Sequence, residues 1–382
     1  MIKIAHIQLL PMLSGVQRVC LDELSRLDKK KYQRYLICKE PGKLSDEATA
    51  IGVQCIFLPE LQRNISFKMD LIALYKLYRI IKIYKFDIVH THSSKPGVLG
   101  RIAAKLNGVK LILHTVHGFS FPAAQNRFQY YIFWIMEKIG SICGDKLICL
   151  HKDDAVIAQE KLFIHKNKIS IIENGVDTNK FKKRNNNEID KLSTYFNIDR
   201  NSDVVVGMIG RLWPQKNPML LLYAAKNIIN NNKRVKFLFV GDGELKDSMN
   251  DYIIQNKLTQ NITICGWCND VSSYLNIFDI FVLPSLWEGM PLAILEAESS
   301  SLPCIVSNIP GNRSIIRHTV DGYLFSLDNP SELESYINIL IEDKERRIIL
   351  GNNARVKILE SYKIENRILK LDELYSSISL KE

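Results

Sequence analysis

The sequence predicts an α/β protein built from two doubly wound, Rossmann-like domains facing a cleft. Three observations carry that prediction. The chain has 382 residues, a length that suits two domains of ordinary size better than one. Short apolar runs alternate with longer amphipathic ones, the pattern of parallel sheets flanked by helices. The alternation occurs twice, in two series separated by a polar and weakly periodic stretch.

In the first series the strands read "IKIAHIQLL", "YLICK", "QCIFL", "DIVHTH", "LILHTVHG", "KLICL" and "ISIIENG". Amphipathic stretches such as "VQRVCLDELSRL" and "DLIALYKLYRIIKIYK" fall between them and read as helices. The second series has "VVVGMIGRL", "KFLFVGDG", "ITICGW", "DIFVLPS" and "PCIVSN", with helices after each. Residues 1–175 are expected to form the first domain and 176–360 the second. The linker and domain entry are expected near 176–203, where Asn, Lys and Asp dominate and Asn185, Asn186 and Asn187 run together. The last segment, 361–382, contains "ENRILKLDELYSSI" and is expected to cross back onto the first domain.

Composition narrows the function. With 46% apolar and 24% charged residues the chain can bury real cores. No apolar run reaches membrane-spanning length and the N-terminus lacks signal-peptide features, so a cytoplasmic protein is expected. The eight cysteines read as reduced core residues; the "CGWC" pair, Cys265 and Cys268, has no second ligand pair nearby to make a zinc site. The formal charge is +10, and it is uneven: residues 1–184 hold 30 Lys and Arg against 16 Asp and Glu. A basic half fits an anionic membrane surface or nucleic acid. No nucleic-acid-binding module is present, so nucleic acid is not expected as a partner.

In open α/β sheets ligands bind at the carboxyl ends of strands, and the chemistry-bearing residues cluster there. Gly15 opens the first helix, where a backbone without Cβ lets N–H groups approach an anion or simply shapes the turn. His117 and Gly118 follow the "LILHT" strand; the imidazole either faces the cleft or orders the loop. Of His90 and His92, one is expected to face the core and the other the cleft. The four histidines show no convincing ligand set with carboxylates, so no metal site is expected. After "VVVGMIG", Gly210 and Pro214 frame Arg211 and Lys216, a planar fork and a point charge suited to a diphosphate. Gly241, Asp242 and Gly243 make a tight turn after "KFLFV". Finally "SLWEGMPLAILEAE" puts Glu288 and Gly289 on an exit loop. Pro291 stands at the start of a helix, and Glu296 lies within it. The N–H groups of Met290, Leu292 and Ala293 at the helix start are expected to point towards an anion, while the carboxylates suit sugar hydroxyls.

Together these stretches resemble the family-4 retaining glycosyltransferases of GT-B architecture. "PSLWEGMPLAILEA" is similar to the family's E-x7-E segment and "GRLWPQKN" to its Arg…Lys loop. "IENGVD" is similar to its interdomain crossing and "SLPCIVSNIPGNRSII" to the region after the second glutamate. The stretch "HTHSSKPGVLGRIAAKLNGVKLILHTVHGFSF" resembles the branch that extends lipid-linked sugars for bacterial surface polysaccharides, O-antigen or capsule. The resemblance implies an acceptor-binding first domain and a donor-binding second one. It implies that Arg211 and Lys216 bind the diphosphate of a UDP-sugar, that Glu296 holds the ribose, and that Glu288 touches the sugar. Backbone at Gly289, Met290, Pro291 and Leu292 assists, Gly15 and Gly210 let loops approach the donor, and His117 contacts the transferred sugar. Two positions depart from the pattern: Ser14 stands where many members have glycine, and Ser314 where many have glutamate.

No D-x-D pair occurs in the sequence, so Arg211, Lys216 and helix dipoles are expected to stabilise the leaving diphosphate without an essential divalent metal or other cofactor. The basic run at 68–85, with Lys68, Lys76, Arg79, Lys82 and Lys85, either lies in a membrane interface or is a core helix with a solvated face. The first reading makes the protein peripheral at the inner face of the cytoplasmic membrane, beside a lipid-linked glycan acceptor. The competing functions are a nucleotide-sugar 2-epimerase of the same architecture and a non-catalytic assembly protein.

Overall fold

The computed structural model describes residues 1–62, 64, 66–124, 126–184 and 187–380; Asn185 and Asn186 of the expected linker lie outside them. The chain forms two compact units, Met1–Asn174 with Glu365–Glu382 and Gly175–Ile364.

The first unit is a seven-stranded sheet. Its strands are β1 (Ile2–Ile7), β2 (Tyr32–Cys38), β3 (Gln54–Phe57), β4 (Ile88–His92), β5 (Leu111–Thr115), β6 (Lys146–Cys149) and β7 (Ile169–Ile171). They lie in the order β3-β2-β1-β4-β5-β6-β7, and every pair is parallel. Helices α1 (Gly15–Arg26), α2 (Lys43–Ala50), α3 (Phe67–Tyr84), α4 (Ser94–Leu106), α5 (Arg127–Cys143) and α6 (Lys152–Glu160) connect them. Alternation along β1 divides the core: Ala5 and Ile7 pack with Leu77 and Ile81 of α3 and Ala103 and Ala104 of α4. On the other face Ile4, Ile88, Leu111 and Leu113 meet Leu371, Tyr375 and Ile378 from the far end of the chain.

The helix α5 packs against α4 in an unusual way. Its fully buried residues are Glu137 and Gly140. Glu137 accepts from the buried Arg101 guanidinium at 3.1 Å, and a Cβ on Gly140 would lie 2.3 Å from that group. An ion pair and a glycine thus take the inward positions. Tyr130, Phe133 and Trp134 are half-buried against a neighbouring cluster, while Phe128, Tyr131, Ile135, Ile139 and Ile142 stand exposed.

In the second unit α7 (Asn187–Tyr195) comes first. The expected linker is therefore partly helical and belongs to this unit: Ile189 and Ser193, one helical turn apart, are buried, as is Ile198 just beyond the helix. The strands are β8 (Val204–Ile209), β9 (Val235–Val240), β10 (Ile262–Gly266), β11 (Ile280–Leu283), β12 (Cys304–Ser307) and β13 (Gly322–Phe325). Their order is β10-β9-β8-β11-β12-β13, all parallel. The apolar runs of the sequence point only as far as β12; the four residues "GYLF" of β13 are too short to show a period. Helices α8 (Pro218–Asn231), α9 (Lys246–Gln255), α10 (Ser272–Ile277), α11 (Leu292–Ser299), α12 (Pro310–Arg313), α13 (Ser331–Glu342) and α14 (Lys344–Ser361) complete it, and α15 (Ile364–Ser376) leads back to the first unit.

The chain passes between units after Asn174 and after Ile364. The two passages are joined: Val176 N–H donates to Tyr362 O at 2.8 Å and Ile364 N–H to Val176 O at 3.1 Å. Gly175 allows it, since a Cβ there would lie 2.5 Å from Ile364 Cα.

Candidate active site

In each sheet the strand order reverses at one point, between β1 and β4 in the first unit and between β8 and β11 in the second. Connections leave such a point in opposite directions and open a crevice at the carboxyl ends of the strands. In each unit the candidate residues lie on loops and helices that leave the strands at or beside that point.

In the second unit, Arg211 and Lys216 lie on the exit loop of β8 and Glu288 on that of β11. Lys216 Nζ pairs with Glu288 Oε1, which also accepts from Ser285 Oγ at 2.7 Å. The two loops are tied by backbone as well: Leu286 N–H donates to Gln215 O at 2.8 Å and the Gln215 amide to Trp287 O at 3.0 Å. Arg211 stacks its guanidinium over the Trp213 ring, 4.3 Å from the centroid.

Close backbone approach explains two glycines. Gly241 sits at φ +153°, and a Cβ there would fall 1.9 Å from Gly210 O. A Cβ on Gly311 would fall 2.1 Å from Gly289 O and 2.6 Å from Glu288 O. The exit loops of β8, β9, β11 and β12 are therefore packed main chain to main chain. Pro291 stands one residue before α11 in an extended conformation, φ −72° and ψ 123°, and so precedes the first helical residue Leu292. Met290 is buried, and Glu296 is half-buried in the second turn of α11. Two residues on, Glu298 is fully buried and serves the core instead of the crevice. It pairs with Lys357 at 2.7 Å, which also meets Asp321 at 3.0 Å. Burial pushes the Glu298 carboxyl up to about 8, against the pull of Lys357.

The departures from the family pattern have local partners. The Ser14 hydroxyl meets the Gln17 amide oxygen, and Ser314 Oγ donates to Gly311 O at 2.8 Å. Gly15 is exposed at the first residue of α1, and a Cβ there would meet nothing within 4 Å. The cysteines are free; Cys20, Cys38, Cys149 and Cys304 are buried, while Cys265 and Cys268 of the C-x-x-C pair are half-buried. Cys268 Sγ donates to Asp270 O at 3.0 Å.

The first unit corrects two expectations. His90 and His92 do not face opposite ways. Residues two apart on a strand share a face, and both side chains are fully buried with ring centroids 4.4 Å apart. Nor do the histidines lack a carboxylate. Glu23 of α1 is buried against them, and His6, Glu23, His90 and His92 bring one ligand atom each within 4.8 Å of one another. Nothing local in the sequence marks Glu23; it is drawn in by Arg367 of α15, which donates to Glu23 Oε1 through Nε at 3.0 Å and Nη2 at 2.6 Å.

The facing nitrogens of this cluster already have partners. His6 Nδ1 lies 3.0 Å from His92 Nε2, and His90 Nδ1 lies 2.7 Å from Tyr375 Oη. A cation there would have to break these hydrogen bonds and share the site with Arg367. The donor set fits a hydrogen-bonded chain better than a metal cradle. His117, half-buried just beyond β5, joins the chain through its Nε2, 3.1 Å from His92 Nδ1. Burial holds His6 and His117 down to about 3, and His90, His92 and His114 well below the ordinary histidine range, so all are neutral near pH 7.

Among the described residues no helix is long and apolar enough to cross a membrane.

Comparison with known proteins agrees along the whole chain. Residues 13–180 match the family described as Glycosyltransferase Family 4, and residues 196–357 that described as Glycosyl transferases group 1. A UDP-Gal:alpha-D-GlcNAc-diphosphoundecaprenol alpha-1,3-galactosyltransferase of Escherichia coli is 45% identical over 379 residues, 98% of this chain and 96% of the relative. The capsular polysaccharide biosynthesis glycosyltransferase CapM of Staphylococcus aureus is 26% identical over 330 residues, 84% of each chain. Among solved structures, Anabaena Alr3699/HepE in complex with UDP and glucose superposes with a TM-score of 0.85 at 18% identity, covering 99% of this chain and 100% of its own. WaaG, a glycosyltransferase involved in lipopolysaccharide biosynthesis, gives 0.75 at 14% identity, covering 97% and 99%.

Proposed function

The chain belongs to the family-4 glycosyltransferases, and on that footing we propose that it moves galactose from UDP-galactose to a GlcNAc-diphosphate-polyprenol acceptor, a step in building a bacterial O-antigen or capsule. The observation that carries the choice of substrates is the 45% identity, over 98% of the chain, to the Escherichia coli enzyme named for that reaction. The pairing of Lys216 with Glu288 where the second sheet reverses supports the chemistry.

In this reading the donor diphosphate replaces Glu288 at Lys216. Lys216 and Arg211 neutralise the departing charge by preorganised electrostatics. Glu288, still held by Ser285, turns its carboxylate to the sugar hydroxyls. Glu296 accepts from the ribose diol, the backbone from Gly289 to Leu292 approaches the phosphates, and His117 donates to the transferred sugar. The anomeric configuration is retained, as in the family. No divalent metal takes part, a reading supported by the absence of D-x-D and the presence of two cations on one loop.

The exposed side chains of α5 support docking at the inner membrane face, where a lipid-linked acceptor is presented. Phe128, Tyr131, Ile135, Ile139 and Ile142 recur every three or four residues and form one apolar stripe. The helix at 68–85 contributes as well: on α3, Phe67, Leu71 and Tyr75 are exposed among its basic residues.

The test is to incubate the protein with UDP-galactose and a synthetic GlcNAc-diphosphate-lipid, with and without EDTA. Acceptor-dependent release of UDP and an α-linked disaccharide lipid, undiminished by EDTA, is the expected result. Conversion of the nucleotide sugar without acceptor would overturn the reading in favour of an epimerase.

A further inference from the structure

The neutral histidines form one continuous chain in the first unit. Thr115 Oγ1 lies 2.7 Å from His90 Nε2, and His90 Nδ1 lies 2.7 Å from Tyr375 Oη. Tyr375 Oη lies 3.5 Å from His6 Nε2, His6 Nδ1 3.0 Å from His92 Nε2, and His92 Nδ1 3.1 Å from His117 Nε2. A neutral imidazole has one N–H and one acceptor nitrogen. Each link therefore fixes the next except at Tyr375, whose oxygen could also accept from His90 and His6 together. That would leave its buried O–H without an acceptor in the chain and cost its desolvation, so two arrangements remain.

In the first, protons point from Thr115 towards His117. Thr115 donates to His90, His90 Nδ1–H to Tyr375, Tyr375 to His6, His6 Nδ1–H to His92 and His92 Nδ1–H to His117. The single proton of His117 is then on Nδ1, the nitrogen outside the chain. In the second, every proton is reversed, and His117 uses its only N–H, on Nε2, to hold His92.

Glu23 chooses between them. Its Oε1 takes both Arg367 hydrogen bonds, while the buried Oε2 has no hydrogen-bond partner and is aimed at the rings. That oxygen lies 3.7 Å from His6 Nδ1, 4.0 Å from His90 Nδ1 and 4.0 Å from His92 Nε2. These separations are too long for hydrogen bonds, so the effect is electrostatic, in a water-free site where it is strong. The first arrangement turns two N–H dipoles towards the oxygen, at His6 and His90. The reverse turns one, at His92, and aims the His6 and His90 Nδ1 lone pairs at a negative charge. Around His6 Nδ1 the only other polar group close by among the described residues is the Cys20 thiol, at 3.5 Å, which burial keeps protonated.

We propose that Glu23 is a positioning residue: through the His6–His92 link it sets the tautomer of His117, so that the Nδ1–H is the hydrogen-bond donor left for the sugar. The proposal rests on the reading of His117 as the sugar contact for its use, but not for its test. It gives a role to a carboxylate that touches neither substrate, and it makes the Glu23–Arg367 pair, drawn from residues 344 apart, part of the support of His117.

The test reads the tautomer directly, by long-range proton–nitrogen NMR on the full chain labelled with 15N-histidine. The expected wild-type spectrum has His117 protonated on Nδ1 and His92 protonated on Nδ1. In Glu23→Gln, Arg367 keeps the amide oxygen in the Oε1 place, so the amide NH2 faces the imidazoles and favours the reverse order. The His117 proton is then expected on Nε2, with kcat about tenfold lower, the loss of roughly one hydrogen bond, and donor KM little changed. Tyr375→Phe cuts the chain beyond His6 and leaves Glu23 in place, so His117 keeps its Nδ1–H. A wild-type His117 protonated on Nε2 overturns the proposal whether or not a variant folds. So does an unchanged tautomer in Glu23→Gln, or zinc retained by the cluster through EDTA dialysis in native mass spectrometry. A switched tautomer with unchanged turnover supports the relay and removes His117 from the proposed reaction.

Discussion

In the proposed reaction, single residues decide how the donor charge is met. Lys216 is held by Glu288 and is little exposed, and a charge-assisted hydrogen bond in such a place is worth roughly 1.5–3 kcal/mol. Lys216→Ala is therefore expected to lower kcat/KM on the order of 100-fold. The melting temperature should move by only a few degrees, since Ser285 still donates to Glu288. Steady-state kinetics and thermal unfolding of one preparation check both; near-normal turnover would refute the donor-site reading. That Arg211, Lys216 and Glu288 stand on strand-exit loops was legible in the sequence, because each follows a buried strand. Glu23 was not. Its meaning depends on Arg367 and on histidines from two other strands, and no local pattern announces partners that distant. His90 and His92 differ again: strand period alone puts them on one face, so their shared burial was open to a strict count of alternation.

Whole elements were the most legible part of the molecule, and their orientation the least. The strands follow from apolar runs bounded by Gly, Asn and Asp, and both parallel sheets follow from the alternation of those runs with helices. Helix α5, "RFQYYIFWIMEK", was legible as an apolar run, but which of its side chains stay exposed was not. Which face turns inward was settled by Arg101, a residue of α4, whose guanidinium needs Glu137 and the space over Gly140. The isoleucines are turned outward as a result. Each exposed apolar side chain that leaves water is worth up to roughly 1.5–3 kcal/mol, so the stripe outweighs any single lysine at a lipid surface, worth about 1 kcal/mol. Replacing Ile135 and Ile139 together by Glu is expected to abolish sedimentation with vesicles of mixed anionic and neutral lipid. Transfer to a short, water-soluble acceptor should persist. Undiminished vesicle binding by the double variant would rule out α5 as the docking face.

At the scale of the molecule, the buried histidines make stability depend on pH. His6 and His117 titrate at about 3 in the folded protein, and His90, His92 and His114 are also lowered, against 6.5 unfolded. Below pH 6.5 the unfolded chain takes up protons that the folded one refuses, so stability falls as pH falls, by up to ~1.4 kcal/mol per pH unit for each histidine. Glu298, raised to about 8, Asp154 of α6, raised to about 7, and Glu23, also raised, act oppositely above the ordinary carboxylate range, but three groups offset only part of five. The urea midpoint, followed by tryptophan fluorescence, is expected to drop steeply between pH 6.5 and 5.5; a flat or rising midpoint would contradict neutral buried histidines. The two-unit division itself has a consequence in time. Arg367, Leu371 and Tyr375 belong to the core of the first unit, yet some 190 residues separate them from Asn174. At ribosomal speeds of about 5–20 residues per second, the first unit waits roughly 10–40 s for its last helix. The second unit has been made in full by then. The portion synthesised first is the portion finished last, and until then Glu23 stands beside its histidines without a counter-charge.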